Sequence, residues 1–193
     1  MAGMNHRDRL RELLVERSVR IGDFTLSSGV RSSYYVDARQ TTMSAEGQVL
    51  VGYVAFDLLR RSGLEPSHVG GLTMGADPVS YAIAHRSWLE GRHLDAYSVR
   101  KKAKEHGTAQ RIEGGLPKDA RCVVIEDCMT TGSSALAAVA AVREHGPEVL
   151  GVLTLVDREE GGRRLLESEG LELLSVFTGQ ELLEAARREG AAR

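Results

Sequence analysis

The segment CVVIEDCMTTGSSAL, residues 122–136, carries the residue types best suited to chemistry. An apolar run leads into two acids, Glu126 and Asp127, and a Thr-Thr-Gly-Ser-Ser turn then opens a helix. Backbone N–H groups at a helix N-terminus lack intrahelical partners, so together with nearby hydroxyls they make a ready phosphate cradle. Gly132 lets the backbone approach a phosphate closely. Two carboxylates beside that cradle can accept hydrogen bonds from neighbouring ribose hydroxyls. A diol site and a phosphate site this close in sequence describe a ribose 5-phosphate. The chain has no Gly-Lys-Ser/Thr, so the string is not a P-loop. The plainer reading is a capped strand-to-helix turn with incidental acids, and the length of the whole string weighs against it.

Four further segments could serve such a site. VRKKAKEHGTAQRIEG, residues 99–114, puts Arg100, Lys101, Lys102, Lys104 and His106 close together. By composition alone this is a solvated charged loop. VDREEGG, residues 156–162, places Arg158 just past an apolar run. A planar guanidinium suits a carboxylate bidentately, although a surface arginine is the ordinary reading. FTLSSGVRSSYYVDAR, residues 24–39, supplies Tyr34 and Tyr35, with Asp37 and Arg39 spaced for a local ion pair. GGLTMGADP, residues 70–78, holds Met74 and Gly75 in what reads as a tight strand-to-helix turn.

The elements that must position these residues follow from hydrophobic periodicity. Residues 6–18 read as an amphipathic helix through Leu10, Leu13 and Leu14. Residues 24–26 and 34–36 flank a Ser/Gly turn and predict a hairpin or bent strand pair. Ser44 caps a helix reaching about Leu59. A strand at 68–73 precedes a helix from about Pro78, with Asp77 as its cap. A strand at 94–99 enters a long mobile loop over residues 100–113, polar and aperiodic. A strand at 122–125 precedes the alanine-rich helix, which stops at Gly146 and Pro147. Residues 149–156 form a buried strand, then come a helix near 163–169, a strand at 173–177 and a C-terminal helix. Unbroken apolar strands alternating with helices predict an α/β fold, a parallel sheet flanked by helices on both faces. In such a sheet, ligands bind beyond the carboxyl ends of the strands. Residues 73–77, 100–106, 126–134 and 157–158 all follow strand ends, so they are expected to share one rim.

Bulk properties bound the function. The 193 residues suit one domain with a substantial core, and a net charge of −2 argues against a general polyanion binder. No stretch approaches a membrane span, and the polar N-terminus has no signal-like apolar segment, so a cytoplasmic protein is expected. Two cysteines, Cys122 and Cys128, lack metal spacing and read as small packing residues without a disulfide. The remaining histidines show no metal spacing either. Trp88 stands alone, with packing or a surface position as its default.

The 122–136 string resembles the phosphoribosyl pyrophosphate motif of the type I phosphoribosyltransferases: four apolar residues, two acids and a TTG-like turn. In that family the acids hold the ribose hydroxyls and the turn holds the 5-phosphate. The resemblance implies these roles for Glu126 and Asp127, and for Cys128, Met129, Thr130, Thr131, Gly132, Ser133 and Ser134. The order Arg-Lys-x-x-Lys-x-His-Gly from Arg100 is similar to the flexible catalytic loop of the orotate-specific branch. That implies pyrophosphate contacts from Arg100, Lys101, Lys104 and His106, made in the neighbouring subunit of a homodimer by the loop 100–114. Residues 24–39 resemble that branch's base-binding segment, which would set Tyr34 and Tyr35 against orotate and make residues 1–40 a small N-terminal base-binding hood. Arg158 matches the arginine that pairs with the orotate carboxylate, and Thr130 would sit nearby. Met74 and Gly75 match a pyrophosphate loop that binds through backbone N–H groups.

The resemblance covers roughly residues 10–180 and implies a single type I phosphoribosyltransferase domain over residues 1–193. It implies transfer of ribose 5-phosphate from phosphoribosyl pyrophosphate to orotate in pyrimidine biosynthesis, with Mg²⁺ as cofactor held mainly by substrate oxygens. No nucleic acid or membrane partner is expected. Many relatives carry lysines where this chain has Ser27 and Gly75, so two cationic contacts are missing or supplied otherwise. Two other readings are weaker: a transferase for another base, against which Tyr34, Tyr35 and Arg158 argue, and a phosphoribosyl-pyrophosphate-sensing regulator, which should carry a basic face outside the site.

Overall fold

The computed structural model describes residues 5–25, 31–101 and 111–191. Helix α1, His6–Arg17, is capped by Asn5, whose Oδ1 accepts from the Arg7 N–H at 3.1 Å. Its Leu10, Leu13 and Leu14 are fully buried. Strands β1, Val19–Thr25, and β2, Arg31–Val36, pair antiparallel, with Val19 opposite Val36 and a register shift between Ile21 and Phe24. The hairpin was expected from Phe24; β1 instead starts at Val19, because Val19 and Ile21 alternate with polar residues too briefly to announce a strand. Leu26 and the turn at 27–30 lie outside the described residues. A short helix α2, Arg39–Thr42, follows; four residues carry no readable period.

Ser44 caps α3, Ala45–Ser62, as its type suggests: its Oγ accepts from Gly47 N–H at 3.1 Å. Gly63, at φ 78, ends the helix in the left-handed conformation that glycine adopts without steric cost. The chain then runs through β3 (His68–Leu72), α4 (Ala76–Leu89), β4 (Asp95–Val99) and β5 (Ile112–Glu113). It continues through β6 (Arg121–Met129), α5 (Ser133–His145), β7 (Glu148–Asp157), α6 (Gly162–Ser168), β8 (Glu172–Thr178) and α7 (Gly179–Ala191). Among the described residues, no helix is long and apolar enough to cross a membrane.

The main sheet has the order β5-β4-β3-β6-β7-β8, parallel throughout except for β5, which pairs antiparallel with β4. Both faces are covered, which explains the unbroken apolar strands. Val123 and Ile125 point into a core shared with α1, α3 and α4. Cys122 and Val124 point into a second core, built with α5 and α6. A strand buried on both faces needs apolar residues at every position.

Three expectations are corrected. The loop expected over 100–113 ends sooner, because Ile112 and Glu113 pair with Val99 and Ser98. Two residues are too short to show a period. Helix α4 starts at Ala76 and has no side-chain cap; Asp77 instead accepts a hydrogen bond from Ser98 Oγ at 2.6 Å, so the β4 hydroxyl wins over the helix end. Strand β6 runs on past Ile125 to Met129, carrying Glu126 and Asp127 inside it, because Glu126, Cys128 and Met129 keep their pairing with β7. The local ion pair holds: Arg39 Nε lies 2.8 Å from Asp37 Oδ1.

Candidate active site

The sheet order reverses direction at β3: its next strand lies on one side and β6 on the other. A crevice opens at the carboxyl ends of strands at such a switch point. A cavity of about 450 Å³ lies there. From the end of β3 it is lined by Leu72, Thr73, Met74 and Gly75, and from the end of β4 by Lys101. From β6 and the turn into α5 come Glu126, Asp127, Cys128, Thr130 and Ser134, and from beyond β7 comes Arg158. Each of the four segments expected on one rim thus contributes to this cavity, the 100–106 segment through Lys101 among the described residues. Its remaining wall is the end of β2 with the start of α2: Tyr35, Val36, Asp37, Ala38 and Arg39.

Burial sets the electrostatics of the two acids. Burial first, and then the neighbouring Asp127 charge, push the Glu126 carboxyl up to about 8, against a smaller opposing pull from Lys101. Burial also raises Asp127, while the backbone N–H groups of Cys128 and of Asp127 itself lower it, with Arg39 helping. Among the described residues, no arginine or lysine lies within ion-pair distance of either carboxylate. Two acids held this way favour hydroxyl donors or a cation arriving with a ligand. Gly75 packs directly over Asp127, since a Cβ on Gly75 would overlap the carboxylate.

The turn at Thr130–Gly132 is shaped for close approach. Gly132 sits at φ 81 as the N-cap of α5, against the backbone of Gly162. Thr131 and Ser133 are exposed, with their hydroxyls 3.1 Å apart. Met129 is buried and turned into the second core rather than the cavity; its carbonyl accepts from Arg158 N–H at 2.9 Å. Cys128 lines the cavity with a thiol whose pKa burial raises, and burial pushes the Cys122 thiol up to about 12, so neither offers a ready thiolate.

Arg158 is buried although it is charged. Its Nη2 donates to Ser32 Oγ at 2.9 Å and lies 2.9 Å from Glu160 Oε1. Its guanidinium carbon stands 4.3 Å from the centre of the Tyr34 ring. Tyr34 is thus spent on seating Arg158, its hydroxyl against Gly179, while Tyr35 faces the cavity. The buried Nε of Arg158 has no hydrogen-bond partner among the described residues.

Arg100 lies outside the cavity lining and pairs with Glu113 at 3.2 Å. Lys104, His106 and Ser27 fall outside the described residues. Sequence reading missed Val36 and Ala38 as lining residues. Asp37 and Arg39 had one signal, their charged spacing just after a strand. Among the described residues, no group of three or more His, Cys, Asp or Glu is arranged to hold a metal ion.

Residues 50–174 match the phosphoribosyl transferase domain family, more than half of the chain. An orotate phosphoribosyltransferase of Aquifex aeolicus is 47% identical over 183 residues, covering 93% of this chain and 99% of that protein. Similar solved structures include the Mycobacterium tuberculosis orotate phosphoribosyltransferase in complex with Fe(III) dicitrate. Its TM-score is 0.81 and its identity 45%, with 92% of this chain and 99% of that chain covered. The same enzyme in complex with 5-phospho-α-D-ribosyl 1-diphosphate gives a TM-score of 0.77 at 41% identity, over 92% and 99% of the two chains. Near-complete coverage on both sides, with the expected acids, turn and arginine gathered in one cavity, leads to one conclusion: this chain belongs to the orotate phosphoribosyltransferases.

Proposed function

We propose that the chain transfers ribose 5-phosphate from phosphoribosyl pyrophosphate to orotate in the cavity at the ends of β3 and β6. One observation carries this reading: two half-buried carboxylates, a hydroxyl-rich helix N-terminus and a buried arginine share that cavity. Glu126 and Asp127 accept hydrogen bonds from the ribose hydroxyls. Thr130, Thr131, Ser133 and Ser134, with the backbone around Gly132, take the 5-phosphate at the positive end of α5. Backbone N–H groups of Met74 and Gly75 face the pyrophosphate. Arg158 takes the carboxylate of orotate through a charge-assisted contact, and Tyr35 lies beside the ring. Residues 1–40 act as the base-binding hood of a single domain.

Breaking the bond to pyrophosphate leaves a cationic sugar and a polyanionic leaving group, so catalysis rests on electrostatic stabilisation. Lys101 at the rim supplies positive charge, with Arg100, Lys104 and His106 from the same segment. The two acids, with no lysine or arginine within ion-pair distance among the described residues, fit a substrate that arrives with Mg²⁺ on its own oxygens. When bound, Mg²⁺ supplies Lewis-acid neutralisation of the leaving group. Lys101 lines the cavity of its own chain, so in a homodimer Lys104 and His106 are the residues that complete the neighbouring site. Orotate-dependent pyrophosphate release by the wild type and by Asp127→Asn tests the site. We expect Asp127→Asn to remain folded and to lose most activity; a folded variant with full activity would overturn the assignment.

A further inference from the structure

Arg158 already carries a carboxylate. Glu160 Oε1 lies 2.9 Å from its Nη2, and the two side chains differ sharply in exposure, 2% for the arginine and 25% for the glutamate. The arginine is fixed from several sides: Ser32 Oγ accepts from it at 2.9 Å, the Tyr34 carbonyl at 3.4 Å, and the Tyr34 ring lies under it. Glu160 stands on the turn between β7 and α6, between Glu159 at φ 60 and Gly161 at φ 98. Asp157, one of the two acids flanking Arg158 in sequence, is committed elsewhere: its Oδ1 accepts from Glu159 N–H at 2.9 Å and its Oδ2 faces Arg163 at 3.4 Å. Glu160 is therefore the carboxylate that neutralises Arg158 when no ligand is present. A buried arginine needs such a partner, because its charge has lost its water.

The guanidinium is not saturated. Its Nε is buried without a partner among the described residues, and the residue lines the cavity. An incoming carboxylate thus meets a cation that has donor capacity left but whose charge is already balanced by Glu160. Two anions on one guanidinium repel each other in a partly buried site.

We propose that Glu160 is a resident carboxylate on Arg158 that competes with the carboxylate of the incoming base, and so sets how tightly carboxylated bases bind relative to neutral ones. The inference rests on the proposed pairing of Arg158 with the orotate carboxylate. Glu160→Gln keeps the length and one acceptor oxygen for Nη2 but removes the charge. An uncharged base gains nothing from that change, whereas a carboxylated base meets an unbalanced cation.

The test measures KM for orotate at saturating phosphoribosyl pyrophosphate, with uracil as the uncharged control. In Glu160→Gln the orotate KM is expected to fall roughly three- to tenfold, the scale of one like-charge repulsion in a partly buried site. The KM for phosphoribosyl pyrophosphate and the use of uracil should stay within about twofold, the scatter expected of an uninvolved contact. Glu160→Asp, which retracts the charge by one methylene, should shift the orotate KM in the same direction by less, and it serves if the glutamine variant does not fold. An orotate KM that is unchanged or raised in these variants overturns the proposal, because Glu160 would then only orient Arg158. Arg158→Ala separates the two ideas. An unchanged orotate KM there removes the pairing itself, whereas a raised value beside an unchanged one in Glu160→Gln removes only the role of Glu160.

Discussion

Gly75 lies so close over Asp127 that a Cβ on the glycine would overlap the aspartate carboxylate. The end of β3 and the end of β6 are thereby pressed together at the middle of the sheet. Gly75 sits at φ −67, a conformation open to any residue, so space and not backbone freedom requires glycine here. The same packing bears on the lysine found at this position in many relatives: in this chain such a side chain would have to displace Asp127.

Gly75→Ala should therefore act on the site more than on the fold. The new methyl pushes the Asp127 carboxylate aside, which should raise KM for phosphoribosyl pyrophosphate roughly tenfold, about 1.4 kcal/mol. The melting temperature should move little, since the flexible acid can turn away. Steady-state kinetics beside a thermal melt check this, and an unaltered KM would show that Asp127 does not hold the ribose.

Much of this site was legible because strand ends in a parallel sheet share a rim. Glu126, Asp127, Thr130 and Arg158 each follow an apolar run, and the switch-point geometry brings them together. The opposite wall was not legible. Val36 and Ala38 are ordinary residue types on segments too short to carry a period, and they reach the cavity only through the tertiary placement of β2 and α2. Asp77 was misread as a helix cap because the competing Ser98 hydroxyl lies 21 residues away in sequence. The duty of Tyr34 was hidden for the same reason, since Arg158 meets it only after the whole sheet has formed.

Glu126 should make the unliganded protein less stable as pH rises. Its carboxyl is raised from 4.5 to about 8, chiefly by burial. Between these values the folded chain holds a proton that the unfolded chain has released, so this contribution to stability falls with rising pH and levels off above about 8. Binding has the opposite sign. The ionised acid is the better acceptor for ribose hydroxyls, so KM for phosphoribosyl pyrophosphate should drop as pH climbs through about 8. Urea titrations and kinetics across this range should show both slopes in the wild type and weaker slopes in Glu126→Gln. Identical slopes in the two proteins would count against a half-buried, ribose-facing Glu126.

Sharing of the site across a homodimer predicts complementation between two damaged chains. Lys104→Ala removes a cation proposed to meet the pyrophosphate, and Asp127→Asn damages the ribose site, so each homodimer should be nearly inactive. In a mixed dimer, the intact Asp127 of one chain meets the intact Lys104 of the other only if the segment crosses over. With random mixing, half the dimers are mixed and each has one good site, so activity should return to roughly a quarter of wild type. No recovery after subunit exchange would place Lys104 in its own chain's site.

Base choice tests the whole account most directly. The chain is mixed with Mg²⁺ and phosphoribosyl pyrophosphate, and orotate, uracil, adenine or hypoxanthine is added in turn while base consumption and pyrophosphate are followed. Orotate should be converted to orotidine 5'-phosphate, and the uncharged bases should react at least about a hundredfold more slowly, because they bring no carboxylate to the unused donor capacity of Arg158. Turnover of a purine or of uracil at a rate matching or exceeding that of orotate would contradict the assignment of Arg158 and of this cavity as an orotate site.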